Sequence, residues 1–174
     1  MGEEKEIDFF DTMEMIDSYL FKEFNSHVGW WKELKFNKKG TEIDVMATDI
    51  NGRKCHIELK NRGGRYKDFL SFCKHNHSIF IECGKIHAFS RIMQSGYSLN
   101  EQELVVNIFD DGRTFVIHNL NKPMTLQWLP NRRIYNRGTG KWEYEHRIGL
   151  PIEEADIYIY DDVNDTYKKM ELPF

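Results

Sequence analysis

Asp44, Glu58 and Lys60 are the residues whose types and spacing carry chemistry. Glu58 and Lys60 stand two apart in RKCHIELK (53–60), a run rich in strand-forming residues. Side chains alternate along a strand, so both lie on one face, with alpha carbons about 6.6 Å apart. Asp44 belongs to the preceding run, EIDVMATDI (42–50), and Asn51-Gly52 between the runs is a hairpin signal. A two-residue loop sets Asp44 opposite Leu59, facing away. A three-residue loop, Ile50 to Gly52 with Gly52 left-handed, sets it opposite Glu58. The second geometry is expected, because it alone gathers the three residues. Two carboxylates about 4 Å apart repel by several kcal/mol, so they raise each other's pKa or recruit a cation. Oxygen-only ligands favour a hard ion, Mg²⁺ with Mn²⁺ as substitute. Such an ion bridges a phosphodiester oxygen and acidifies a water. Lys60 beside it would position that water, help deprotonate it, or neutralise the pentacovalent oxygens.

A further carboxylate comes from the first element. Residues 8–25 read as a helix, with Phe9, Met13, Ile16, Leu20 and Phe24 recurring at steps of three and four. Asp17 interrupts that stripe, and Glu14 lies three before it on the adjoining flank. A carboxylate facing a core is uncommon unless paired or metal-bound. Glu14 is the metal-side candidate by residue type and Asp17 by position; the plain alternative is that Asp17 reaches water at the stripe's edge.

The remaining elements must hold these groups in place. A strand is expected at 30–36, a short helix at 66–74, a strand at 78–83 and a helix at 84–96. A second hairpin is expected across Asp110-Asp111-Gly112, and short strands follow at 124–129, 141–148 and 156–160. The class is α+β or mixed α/β around one sheet. A core over 1–119 is expected to carry a β-rich C-terminal extension, 120–174, packed on the same domain.

The strings Gly40-Thr41-Glu42-Ile43-Asp44-Val45-Met46-Ala47 and Ile57-Glu58-Leu59-Lys60-Asn61-Arg62 resemble the PD-(D/E)xK nuclease superfamily. This is the restriction-endonuclease-like fold, shared by Holliday-junction resolvases and phage exonucleases. The resemblance covers roughly residues 8–110, and Ile43 stands where the family has Pro. It implies a core of helix, three-stranded meander, helix and strand. It implies Asp44 and Glu58 as metal ligands, Lys60 as the catalytic lysine, and Glu14 or Asp17 as the helix carboxylate. The motif is short, so its weight comes from the helix and hairpin around it. An ordinary solvated strand pair is the rival interpretation of Glu58 and Lys60.

Composition and charge bound the partners. Forty per cent hydrophobic residues suffice for a core, and no apolar run approaches a membrane span. Three cysteines without paired spacing and an acidic start make a reducing cytoplasm the default. Net charge is −4, which argues against coating nucleic acid through global charge. Yet 53–74 is a basic block between acidic ends, and Asn61, Arg62, Arg65 and Lys67 within it are expected to guide a phosphate backbone. In NRRIYNRGTGKWEYEHR (131–147), Arg132, Arg133 and Arg137 alternate with aromatics, which suits a strand that stacks bases and tracks phosphates. Packing of those aromatics on the sheet is the competing expectation.

The expected function is therefore Mg²⁺-dependent hydrolysis of DNA, with RNA an open alternative. Selectivity would be for structure or only weakly for sequence, and a second copy or a partner protein would supply targeting. Proteins of this type often come from phages or defence loci. The rivals are a non-enzymatic nucleic-acid- or protein-binding module on the same fold, and an assembly protein using 120–174 as its interface.

Overall fold

A computed structural model of the chain describes residues 9–37, 41, 43–63, 68–94, 101–136 and 138–172, with side chains from Met15 in the first helix and up to Phe89 in the third. The class is α+β. Among the described residues three helices, α1 (Phe9–Val28), α2 (Phe69–His75) and α3 (Cys83–Gln94), pack with twelve strands. These are β1 (Trp31–Phe36), β2 (Val45–Asp49), β3 (Lys54–Asn61), β4 (Ser78–Glu82), β5 (Glu101–Phe109), β6 (Thr114–Asn119), β7 (Gln127–Trp128), β8 (Arg132–Asn136), β9 (Lys141–Glu145), β10 (Arg147–Pro151), β11 (Asp156–Asp161) and β12 (Thr166–Met170).

The main sheet has seven strands in the order β1-β2-β3-β5-β6-β11-β12. β1, β2 and β3 form an antiparallel meander, and β5 runs parallel to β3. The remaining neighbours are antiparallel. The expectation of one sheet is corrected. β4 leaves the main sheet and pairs with β10, which pairs with β7, while β8 and β9 form a separate ribbon. The reason is burial on two faces. β5 takes the place beside β3, so β4, whose Ile79 and Ile81 are buried, lies over the sheet and needs a partner, which β10 supplies.

Strand alternation assigns the faces. Val45, Ala47, Ile57, Leu59, Leu104, Val106, Ile108, Phe115 and Ile117 form one core with Phe21 and Phe24 of α1. The other face is covered by α2, α3 and the β4–β10 layer through Phe69, Phe72, Ile81, Phe89 and Leu150. α1 differs in phase from the expected stripe. Phe21 and Phe24 are buried, Leu20 and Val28 pack against them, and Ile16 is exposed along with Met15 and Tyr19. The helix runs to Val28 because Gly29, at φ +65°, takes the left-handed position that ends it and donates its N–H to the Asn25 carbonyl.

The β2–β3 hairpin has the three-residue loop. Val45 pairs with Ile57 and Thr48 with Lys54, Gly52 has φ +81°, and its N–H donates to the Asp49 carbonyl at 3.0 Å. The Asp49 side chain accepts from the N–H groups of Asn51 and Arg53 at 2.8 and 2.9 Å, which fixes the loop length. Continued one step past Val45, this register sets Asp44 level with Glu58.

Candidate active site

Alternation gives the α2–α3 face of the main sheet an unusual polar stripe: His56, Glu58 and Lys60 on β3, then Glu103 and Asn107 at matching positions of β5. Glu58 is 1% exposed. Its Oε1 lies 3.3 Å from the Lys60 Nζ, and its Oε2 lies 3.0 Å from the Nζ of Lys85 on α3. Lys60 also reaches Glu82 at the end of β4, 3.1 Å away. Asp44 sits just before β2 and accepts the Leu59 N–H at 2.8 Å, which pins its carboxylate to β3. Asp44, Glu58, Lys60, Glu82 and Lys85 thus form one connected cluster beneath the junction of β4 and α3.

The electrostatics follow from that crowding. Burial, then the charge of Asp44, pushes the Glu58 carboxyl up to about 7, while Lys60 and Lys85 pull the other way. Lys60 is raised above the ordinary lysine value: burial works against its charge, but Glu58 and Glu82 outweigh burial. Glu82 is lowered, because Lys60 outweighs the penalty of its own burial. At neutral pH Lys60 is therefore a held cation, and Glu58 sits near its titration midpoint.

Unmet polar capacity surrounds the cluster. Among the described residues, Oε2 of Glu58 and Oε2 of Glu82 are buried with ammonium groups nearby but no aligned hydrogen bond, and Nδ2 of Asn107, level with Lys60, has no hydrogen-bond partner. The donor set is carboxylate oxygen throughout, which suits Mg²⁺ or Mn²⁺. Asp44, Glu58 and Glu82 are the carboxylates of this cluster, and among the described residues their oxygens do not all lie within 4.8 Å of one another.

The other expected site residues have different surroundings. Asp17 accepts from the Asn61 Nδ2 at 2.8 Å, and Asn61 alternates to the α1 face, away from Glu58. Asn61 also accepts the Gly63 N–H at 2.8 Å. Arg62 turns inward: its Nε donates to Asn107 Oδ1 at 2.9 Å, its guanidinium donates to the Phe80 carbonyl and lies 4.5 Å over the Phe80 ring. Burial lowers its pKa to about 10. It brackets β3, β5 and β4 together. Arg65, Lys67 and Arg137 lie outside the described residues, as does the side chain of Glu14.

The β8–β9 ribbon carries Arg132 and Arg133, both exposed. Arg133 pairs with Tyr144 and Tyr135 with Trp142, so those four share one face. The three rings are at least half exposed, and the Arg133 guanidinium lies 5.1 Å from the Trp142 ring centre. The aromatics face solvent and do not pack on the sheet.

Glu82, Lys85, Asn107 and His118 were not assigned to the site from the sequence. In the sequence Glu82 and Lys85 flank a strand end near the expected site, where they could contact substrate, with a helix cap or surface pair as the plainer expectation; the β4–β10 layer is what swings them over Glu58. His118 is fully buried, and its Nε2–H donates to the Pro151 carbonyl at 2.8 Å, which ties β6 to β10. The polar alternation Lys54-His56-Glu58-Lys60 was the signal available for His56. No protein-family model, curated protein or solved structure matches this chain.

Proposed function

We propose that the chain is a Mg²⁺-dependent nuclease of the PD-(D/E)xK type that hydrolyses phosphodiester bonds in DNA. The observation that carries this reading is the register that brings Asp44 level with Glu58, with Lys60 on the same face and in contact. In support of this reading, α1, the β1–β2–β3 meander, α3 and a β5 parallel to β3 follow one another in the order the sequence resemblance implies, with α2 and β4 inserted before α3. A Mg²⁺ ion held by Asp44, Glu58 and Glu82 would supply Lewis acidity toward the phosphodiester and toward an attacking water.

The chain's own groups have definable parts. Asp44, fixed by the Leu59 N–H, presents a carboxylate of constant orientation. Glu58 must ionise to serve as a ligand. Lys60 remains protonated, so it acts as a positive charge beside the phosphoryl oxygens and as a donor that orients water, rather than as a base. Asn107 offers a buried N–H donor within the same face. The ribbon face of Arg133, Tyr135, Trp142 and Tyr144 suits bases that are already unpaired, which favours substrates with single-stranded segments.

The test is cleavage of single-stranded, duplex and branched DNA with Mg²⁺ or Mn²⁺. Wild type should cut at least one, EDTA should abolish cutting, and Lys60→Met should lose about 10²–10³-fold, as for loss of one transition-state charge donor. Inactivity on every substrate, or full activity in Lys60→Met, would contradict the reading.

One observation favours a second reading, a binding module without catalysis. Both oxygens of Glu58 already face ammonium groups, so the lysines hold the positive charge that an ion would bring. That module would bind DNA equally with and without EDTA.

A further inference from the structure

We propose that His56, Glu101 and Glu103 form a separate binding site for a divalent transition-metal ion of the Zn²⁺ type. It is independent of the nuclease reading and uses none of the residues assigned to that function.

The strands build the site. In the parallel β3–β5 ladder His56 pairs with Glu103 and Lys54 with Glu101, so His56, Glu103 and Glu101 project from one face across two adjacent strands. One ligand atom from each lies within 4.8 Å of the other two. Backbone anchoring fixes both acids. The Glu103 N–H donates to the Asn121 Oδ1 at 2.7 Å, the Asn121 Nδ2 donates to the Glu101 carbonyl at 3.3 Å, and the Leu120 N–H donates to the Glu103 carbonyl at 2.9 Å.

A second observation points to a ligand. Glu103 is 0% exposed, and its Oε2 is buried with no hydrogen-bond partner among the described residues. Its Oε1 has only a long contact of 3.3 Å to the His56 Nδ1. A carboxylate removed from water with one oxygen unmatched is strongly unfavourable unless a cation completes it. The neighbouring groups are an imidazole nitrogen and a second carboxylate, which is a metal-ligand set. A protonated imidazole alone would satisfy one oxygen and leave the other as found.

The donor types choose the ion. Imidazole nitrogen favours Zn²⁺ and its first-row neighbours over Mg²⁺, which prefers an all-oxygen shell. The two sites therefore differ in kind: Asp44, Glu58 and Glu82 offer oxygen alone, whereas this one adds nitrogen. Three protein ligands leave a position for water. Bound there, the ion would cross-link β3 to β5 two residues along the ladder from Glu58 and stabilise the strand that carries the carboxylate cluster.

The test uses full-length chain stripped of metal, in an Asp44→Asn/Glu58→Gln background that removes the oxygen-only site. Calorimetric titration with Zn²⁺ should give one equivalent per chain, with a rise in melting temperature. Co²⁺ in its place should give visible absorption of a four- or five-coordinate centre. Glu101→Gln, at the partly exposed start of β5, should weaken Zn²⁺ at least tenfold while circular dichroism stays native. His56→Gln should do the same and remove the Co²⁺ spectrum. Mg²⁺ at the same concentration should give no saturable heat. Absence of Zn²⁺ uptake in this background would overturn the proposal. Uptake undiminished by both Glu101→Gln and His56→Gln would overturn it equally.

Discussion

The carboxyl of Glu58 is the residue on which site and stability conflict. It is buried beside Asp44, which holds its pKa at about 7, and must lose its proton to bind a cation. Below that value each unit of pH should cost about tenfold in Mg²⁺ affinity. Mg²⁺-dependent cleavage at subsaturating metal should therefore rise with pH and level off above 7, as read from a pH–rate profile. Lys85 lowers the Glu58 pKa by its charge at 3.0 Å. Lys85→Met should shift that rise to higher pH, whereas a profile that does not move would show that Glu58 is not the group titrating. Lys60 differs from Lys85 because it bridges Glu58 and Glu82. Its loss should lower the plateau of the profile.

At the scale of elements, turns fix the registers that the site depends on. Gly52 at φ +81° has open space around it, so Gly52→Ala carries only left-handed strain, about 1 kcal/mol. Gly112 at φ +90° has the Leu20 side chain 2.7 Å from where a Cβ would stand. Gly112→Ala adds that collision and should cost about 3 kcal/mol, since it also pushes α1 from the sheet. Urea midpoints of the two variants give the comparison, and equal losses would contradict the packing of α1 on this turn. The β8–β9 ribbon gives the opposite case. Trp142 is 60% exposed, so Trp142→Ala should leave the urea midpoint within about 0.5 kcal/mol of wild type. Single-stranded DNA affinity should fall by about 1–3 kcal/mol, the range for one stacked base.

Elements were legible in the sequence where local pattern and core agreed. The Asn51-Gly52 signal and the alternation of 42–60 led to the hairpin, but they allowed a two- or a three-residue loop; the three-residue loop and the alignment of Asp44 with Glu58 were expected only because they gather the three site residues. The Asp110–Gly112 turn led to the β5–β6 hairpin. β12 was not expected, because its residues, Thr166–Met170, lie in the acidic end of the chain and include two adjacent lysines. In the fold Asp161 holds Lys168 across a hairpin turn, and Tyr167 donates to the Gly112 carbonyl beneath α1. The phase of α1 was misjudged because its apolar residues occupy more than one stripe, and only the sheet beneath selects Phe21 over Ile16. Lys85 and Glu82 belong to the cluster through long-range packing of β4 on β10, for which no local pattern exists.

Across the whole molecule two buried titrating groups oppose each other. Glu58 has a folded pKa of about 7 against an ordinary 4.5, so the folded state keeps a proton that the unfolded chain loses. Its contribution to stability falls as pH rises from 4.5 to 7, by about 3 kcal/mol in all. His118 has a folded pKa of about 4 against 6.5, because burial disfavours the imidazolium. Its contribution is fully present above 6.5 and is lost as pH falls toward 4, again by about 3 kcal/mol. The windows overlap and the signs are opposite, so wild type should show a flat stability profile between pH 4.5 and 6.5. Glu58→Gln should remove one side of that balance and make stability fall steeply on acidification. Urea titrations at pH 4.5, 5.5 and 6.5 measure this, and parallel profiles for the two proteins would contradict it. Among the described residues no helix is long and apolar enough to cross a membrane.

The proposed chemistry rests on Asp44 and Glu58 sharing one divalent ion. Anomalous diffraction from a crystal soaked in Mn²⁺ above pH 7 tests this most directly. The expected result is a peak within about 2.2 Å of both carboxylates, with Lys85 drawn away from Glu58. Glu58 still clasped by Lys60 and Lys85, with no peak between it and Asp44, would contradict the account.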